Sequence, residues 1–333
     1  MVAAVEARVQ GSRDTPAHAR YTSEVVFTDG ASRLLRFAAG ARDTAGGARV
    51  GAGQPLLLVP SMLQRWHILD LVPGESLVAA TVGAGFDVFV LDWGELADER
   101  HLNFAQVVGR IDRMARKVRR LSGRWPGLVG YSQGGTLAAI HAARNPAEVP
   151  ALVLIAAPLS FAHGGAMAPL VDPRLVDADL LADAGGVPPA TFRAMVAMMH
   201  PGATLWSAAA AAFHPNPHIR THLAALERWA NDSVPLPPEV LRVWLGELVQ
   251  GDALSRGRLA VGPQRIALSA IAARTLLVVA DGDTICPPPA TLALETHIPC
   301  ETLRVPGGHV SGLAGPGTFE RVHQPVARWL SQA

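Results

Sequence analysis

Five short apolar runs limit what this chain can fold into. They are PLLLVP (55–60), FDVFVLDW (86–93), GLVGYS (127–132), ALVLIAAP (151–158) and TLLVVADGD (275–283). Each is short and nearly continuous in its apolarity rather than alternating, which is how a strand buried on both faces reads. Helix-like segments lie between them, including 104–121 and 134–143. Strand followed by helix followed by strand implies an α/β protein with a mostly parallel central sheet and helices on both faces. Ahead of these runs, SEVVFTDGASRLLRFAAG places two β-rich stretches around Asp29-Gly30, a hairpin signal.

The pattern breaks once. Between residues 159 and 270 no comparable strand run occurs, and the composition turns to Ala, Met, Pro and Trp at helical spacing. So long a stretch is not a structureless loop in a compact domain, so it reads as a mostly helical lid over the C-terminal edge of the sheet. The expected organisation is a flexible tail over 1–20, a core formed by 21–158 and 271–333, and the lid at 159–270. A chain of 333 residues, 49% hydrophobic and 17% charged, is large enough to bury about three quarters of its unfolded surface without staples.

Charge and cysteine content exclude several roles. A formal net charge of +1 provides no field for nucleic acid or an anionic membrane. The basic run RIDRMARKVRR (110–120) carries Ile111, Met114 and Val118 at helical spacing, continued by Leu121, so it reads as the solvated face of a packed helix. Two cysteines, Cys286 and Cys300, provide no disulfide framework. The N-terminus has no apolar leader core, and no stretch approaches the roughly 18 apolar residues of a membrane span. A soluble cytoplasmic protein is the expectation; the richness in Ala, Arg, Gly and Pro resembles GC-rich bacterial coding.

The third run ends in VGYSQGG (129–135), a G-x-S-x-G pattern at the point where strand becomes helix. In a nucleophile elbow the serine occupies a strained turn, and the glycines let the chain cross itself closely. Ser132 is therefore the expected nucleophile, with a structural turn serine as the alternative. A serine hydroxyl needs a base to take its proton and an acid to hold that base in one tautomer. Asp283 lies just past the last of the five runs and is the expected acid, with Asp281 the alternative; His309, in LRVPGGHVSG, is the expected base. Backbone N–H groups of Gln133 and of Met62, or else Ser61, are the expected oxyanion hole.

These segments carry a resemblance. LLLVPSMLQRWHILDLVPGESLV (56–78), VFVLDWG (88–94), GYSQGGTLAA (130–139), LERWANDSVPLPPEVLRVWLGELVQGDALSRGRL (226–259), ADGDTICP (280–287) and GGHVSGL (307–313) resemble the catalytic domain of polyhydroxyalkanoate synthases, a branch of the α/β-hydrolase superfamily. The resemblance implies the α/β-hydrolase fold and a triad of Ser132, Asp283 and His309, as the residues themselves suggest. It departs in two places. The family elbow carries cysteine where this chain has Ser132, and the long N-terminal domain of the larger synthases has no counterpart before the hairpin.

The synthase thiolate accepts a 3-hydroxyacyl group from a coenzyme A thioester and passes it to the hydroxyl of the growing chain. An acyl-serine is an ordinary oxygen ester, no more activated than the polymer link, and this favours water as acceptor. The expectation is a serine hydrolase of ester or thioester bonds in hydroxyacyl or polyester-type substrates. The alternatives are a synthase-like acyltransferase using hydroxyacyl-coenzyme A and an inactive partner subunit of a synthase. No cofactor is expected, and a homodimer is left open.

Several further residues are weighed. Ser61, Tyr131, Trp93 and Trp229 are candidate pocket residues; Trp229 and Asp232 match the lid pattern of the family, and Asp92 precedes Trp93. Met195, Met198, Met199, Trp206 and Phe213 suit an acyl chain or ordinary packing equally. His214, His218 and His222 recur every four residues, but Pro215 and Pro217 spoil the helix, so they read as lid-surface histidines and no metal site is expected. Cys286 is not at an elbow and is rejected as nucleophile. Because His309 must be neutral to act as base, activity is expected to rise with pH and then level off.

Overall fold

The computed structural model describes residues 21–38, 53–199 and 214–332. Eight strands form one sheet: β1 (Thr22–Asp29), β2 (Ser32–Ala38), β3 (Pro55–Val59), β4 (Asp87–Asp92), β5 (Gly127–Tyr131), β6 (Ala151–Ile155), β7 (Arg274–Ala280) and β8 (Glu301–Val305). Their spatial order is β1-β2-β4-β3-β5-β6-β7-β8. β1 and β2 form the antiparallel hairpin read at Asp29-Gly30, and β2 runs antiparallel to β4. Every other pairing is parallel. The chain goes from β3 outward to β4 and then returns to place β5 on the other side of β3. This reversal opens a crevice beyond the C-terminal ends of β3 and β5, where open α/β sheets bind ligands.

The continuous apolarity of the runs has a direct structural counterpart. All residues of β3, β4, β5 and β6 are buried, and successive side chains enter opposite layers. Leu57, Val59, Phe89, Leu91, Leu128 and Leu152 join one apolar cluster, whereas Leu56, Leu58, Val88, Val90, Val129 and Val153 join the other. Helices α1 (Leu77–Gly83), α2 (Phe104–Ser122) and α3 (Gln133–Arg144) cover the two faces. α2 starts at a reciprocal capping box between Asn103 and Gln106 and ends at left-handed Gly123.

The basic run of α2 departs from its reading as a solvated face at two positions. Arg110 is buried, its guanidinium 2.6 Å from Glu99 Oε1 and 3.1 Å from Ser32 Oγ, so it ties the helix to the β1–β2 hairpin. Leu121 is exposed, because the apolar stripe that packs on the sheet ends at Val118, one turn before the helix does.

Between β6 and β7 the described residues are mainly helical: α4 (Ala178–Asp183), α5 (Pro189–Met199), α6 (Pro217–Asn231), α7 (Pro238–Arg242) and a π-helical turn (Val243–Gln250) that continues α7. Val240, Trp244 and Leu248 pack into the first cluster, and Ala225 and Trp229 into the second. Buried Asp252 anchors the entry to this region, accepting from Ser160 Oγ at 3.1 Å and from the Phe161 N–H at 2.8 Å. The C-terminal helix α8 (Gln324–Leu330) packs Val326, Trp329 and Leu330 into the second cluster. Among the described residues no helix is long and apolar enough to cross a membrane.

Candidate active site

Ser132 caps the short link between β5 and α3 with φ 52° and ψ −127°. A side chain is rarely held there, and the surroundings fix it by close approach. A Cβ on Gly130 would lie 2.4 Å from Gly135 Cα, and one on Gly134 would lie 2.2 Å from the Val59 carbonyl oxygen. Both positions therefore admit only glycine. The Ser132 N–H donates to Ile155 O at 2.9 Å, pinning the turn to the neighbouring strand.

Asp283 follows β7 and His309 follows β8, and the parallel pairing of these strands delivers both to the same rim as Ser132. His309 Nε2 is 2.9 Å from Ser132 Oγ, and His309 Nδ1 is 2.8 Å from Asp283 Oδ2. The other Asp283 oxygen, Oδ1, accepts the N–H groups of Ile285 at 2.9 Å and Cys286 at 2.8 Å. The Asp283 side chain has no solvent exposure and that of His309 has 10%. A buried carboxylate with both oxygens engaged can hold an imidazole in the tautomer whose Nε2 accepts a proton. Asp281, the alternative acid, instead forms an exposed pair with Arg304 at 2.6 Å. Cys286 is buried, and that burial pushes its thiol up to about 12, so it stays protonated and non-nucleophilic.

The expected oxyanion loop follows β3. Met62 is fully buried, and its N–H donates to Gln133 Oε1 at 3.2 Å. Ser61 Oγ donates to the same oxygen at 3.4 Å and accepts the Leu63 N–H at 3.2 Å. The side chain of Gln133 thus grips the loop whose N–H was expected to face a substrate. Its Nε2 is buried without a partner among the described residues. Sequence reasoning assigned Gln133 through its backbone alone and missed this contact, which joins residues 71 positions apart.

The four candidate pocket residues have contacts within the protein. Tyr131 is 2% exposed, donates its hydroxyl to His309 O at 3.2 Å and sets its ring 5.5 Å from the imidazole. Burial, with Asp283 nearby, pushes its phenol above the ordinary range. Trp93 donates to Pro60 O at 2.9 Å, at the start of the loop after β3, and Trp229 donates to Arg65 O at 2.8 Å. Ser61 is engaged as described. Asp92 pairs with Arg33 at 2.6 Å and Asp232 with Arg65 at 3.3 Å.

The histidine series spans the start of α6, whose first residue is Pro217, so the prolines open this helix rather than spoil it, and His218 and His222 lie one turn apart within it. His214 precedes α6, whereas His222 lies within it and is buried with Nδ1 2.6 Å from Glu75 Oε2. Reading His222 as a surface histidine was wrong, because Glu75 supplies from 147 positions away the carboxylate that the local sequence lacks. Among the described residues no cluster of three or more His, Cys, Asp or Glu side chains could hold a metal ion. The side chains of Met195, Met198 and Met199, and the whole of Trp206 and Phe213, lie outside the described residues.

A family model for the alpha/beta hydrolase fold matches residues 54–316. Curated relatives extend the match. The chain is 28% identical to the poly(3-hydroxyalkanoate) polymerase subunit PhaC of Haloferax mediterranei over 93% of its own length and 64% of that protein. It is 28% identical to the corresponding Synechocystis subunit over 84% of this chain and 78% of that one. For the Allochromatium vinosum subunit the identity is 26%, covering 93% and 88%. Among solved structures, the peroxisomal alpha-beta-hydrolase Lpx1 of Saccharomyces cerevisiae superposes with a TM-score of 0.56 at 12% identity, covering 94% of this chain and 90% of that one. A thioesterase domain from the curacin biosynthetic pathway gives 0.53 at 14% identity, covering 93% and 99%. The chain belongs to the alpha/beta hydrolase fold family and resembles its polyhydroxyalkanoate polymerase branch, with Ser132 where that branch carries cysteine.

Proposed function

We propose, on the premise of that family membership, that this protein is an acyl-transfer enzyme. In this reading Ser132 takes a hydroxyacyl group from a coenzyme A thioester and passes it to an alcohol. Similarity to poly(3-hydroxyalkanoate) polymerases over most of the chain shifts the balance from the hydrolysis expected at first towards transfer. The observation that carries the chemistry is the contact series from Asp283 through His309 to the Ser132 hydroxyl, at 2.8 and 2.9 Å.

His309 Nε2 takes the proton as Ser132 Oγ bonds to the thioester carbon. Collapse of the tetrahedral adduct breaks the C–S bond, and the thiolate leaves with that proton. An incoming alcohol then gives its proton to His309, attacks the acyl-serine and restores the hydroxyl. The thioester makes the first half favourable, and exchanging one oxygen ester for another costs little in the second. Serine therefore does not forbid transfer; it removes only the extra activation that a thioester intermediate would keep.

Hydrolysis is the second reading, favoured by Ser132 itself, because an oxygen ester gives an alcohol no advantage over abundant water. An inactive partner subunit would have no need for three groups in mutual contact. The test is incubation with 3-hydroxybutyryl-coenzyme A, following thiol release and the division of product between polymer or alkyl ester and free acid. Transfer predicts ester products that disappear in Ser132→Ala; free acid alone supports hydrolysis. Thiol release equal in Ser132→Ala and wild type removes both readings.

A further inference from the structure

The residue before the expected nucleophile reaches the expected base. Tyr131 ends β5, and the alternation along that strand turns its side chain, like that of Val129, into the second apolar cluster. Leu313 and Ala314, which follow His309, pack into the same cluster. The phenol therefore lies on the side of the sheet where the segment carrying His309 is packed. Its hydroxyl donates to His309 O at 3.2 Å, a contact between residues 178 positions apart, and the two rings lie 5.5 Å apart at 34°.

The turn that carries His309 has little to hold it. It leaves β8 through Pro306 and Gly307, both exposed, and Gly307 has φ 108°, where a side chain is rarely found. Gly282 N–H donates to Gly307 O at 2.9 Å and Gly308 N–H to Ser311 Oγ at 2.8 Å, so the two residues before His309 are tied down. The peptide of His309 itself is held differently: among the described residues, Tyr131 is the only partner hydrogen-bonded to the His309 backbone. Burial pushes the Tyr131 phenol above its ordinary range, so the hydroxyl remains a protonated donor. A phenylalanine would fill the same space with no buried hydroxyl to satisfy, so the hydrogen bond is the part of this side chain left to account for.

We propose that Tyr131 is a positioning residue: its hydroxyl, carried by the strand that delivers Ser132, fixes the main chain of His309 and so sets the distance from the imidazole to the Ser132 hydroxyl. This role rests on the reading of Ser132, His309 and Asp283 as a triad, and it is the same whether the acyl group goes to an alcohol or to water. One strand then places both ends of the proton transfer, Ser132 through the peptide bond and His309 through Tyr131. Reacting groups must sit within about 0.5 Å of their working positions, and a displacement of about 1 Å costs about a hundredfold in rate. Tyr131→Phe keeps the ring and its packing but releases the His309 carbonyl. Its expected effect is a roughly tenfold to hundredfold loss in the chemical step, with affinity for the reacting molecule unchanged.

The test is covalent labelling by a fluorophosphonate, in which Ser132 Oγ bonds to phosphorus, its proton passes to His309 and fluoride leaves. The limiting first-order rate and the half-saturating concentration are measured separately for wild type, Tyr131→Phe and Thr275→Val, each with its melting temperature. Thr275 is the control: its buried hydroxyl donates to Ala273 O at 2.9 Å at the start of β7, so its removal costs a comparable hydrogen bond at the far end of that strand from Asp283. The first-order rate is expected to fall by tenfold or more in Tyr131→Phe at unchanged half-saturation, and Thr275→Val is expected to react like wild type. A Tyr131→Phe rate within tenfold of wild type overturns the role, as does an equal fall in Thr275→Val or a change in half-saturation alone. So does a Tyr131→Phe chain that no longer folds, since the hydroxyl would then serve the fold. A wild type inert to the reagent removes the triad reading itself. A wild type that reacts yet releases no thiol from 3-hydroxybutyryl-coenzyme A defeats the acyl-transfer reading and leaves this role standing.

Discussion

Replacing Asp283 by Asn tests whether the carboxylate does more than fill space. Oδ1 accepts two backbone N–H groups, from Ile285 and Cys286, while Oδ2 faces His309 Nδ1 at 2.8 Å. A carboxamide has one oxygen, and the two N–H groups claim it. The amide NH2 is then turned towards Nδ1, which must become an acceptor and push its proton onto Nε2. That nitrogen would donate to Ser132 Oγ when it needs to accept. Flipping the amide would restore the imidazole but abandon two buried hydrogen bonds at about 1–3 kcal/mol each. The competent form is thus disfavoured by about 2–6 kcal/mol, a loss of roughly 30-fold to 10⁴-fold in rate. The equivalent change in the archetypal serine triad reaches about 10⁴. The assay is thiol release from 3-hydroxybutyryl-coenzyme A with p-nitrophenyl butyrate alongside, each rate paired with a melting temperature. A folded Asp283→Asn enzyme within tenfold of wild type would refute the reasoning. So would an equal loss in Asp281→Asn, whose exposed carboxylate serves Arg304 and is expected to matter little.

Two further outcomes are expected. Ser132→Cys converts the intermediate to a thioester, so the fraction of 3-hydroxybutyryl groups delivered to an added alcohol, measured against free acid, should rise; an unchanged or lower fraction counts against Ser132 as the acyl carrier. His323 is almost fully buried, and burial pushes its imidazole down to about 4 even though Leu313 O lies 2.8 Å from Nε2. The unfolded chain takes up this proton near pH 6.5 and the folded one only near pH 4. The stability contribution is thus fully present above pH 6.5, and about 3 kcal/mol of it is lost as pH falls to about 4. His323→Gln retains a donor for Leu313 O and cannot titrate, so its urea midpoint should fall less than that of wild type between pH 7 and pH 4.5. Equal falls would show that another group governs the acid limb.

The fold was legible because its signal is local. A strand inside a parallel sheet is apolar on both faces, and PLLLV and ALVLI need no partner to reveal it. Ser132 was legible for the same reason: the crowding that excludes side chains at Gly130 and Gly134 comes from Val59, Pro60 and Gly135, and it leaves its mark as glycines within five residues. Asp283 and His309 required chain order as well, since each only follows a strand. What escaped reading is polar pairing across distance. Arg110 sits in a run of cations yet is neutralised by Glu99, and His222 finds Glu75 across 147 positions of sequence. Nothing in either segment's own pattern records the partner, because a buried charge is satisfied by geometry rather than by spacing.

The loop after β3, the expected oxyanion loop, is the sharpest case of such hidden pairing, and it is bonded to the segment after α6. Met62 N–H rests on the neutral carboxamide oxygen of Gln133. A developing oxyanion is a charge-assisted acceptor, roughly twice as strong as a neutral one, and can compete for that donor only where charge appears. The same loop is tied to the segment after α6. Val234 N–H is bonded to Leu63 O, and Trp229 Nε1 is bonded to Arg65 O. A flap that lifted the 229–234 segment would break both bonds and free Leu63, the neighbour of Met62. Lifting that segment therefore disturbs the loop after β3 itself.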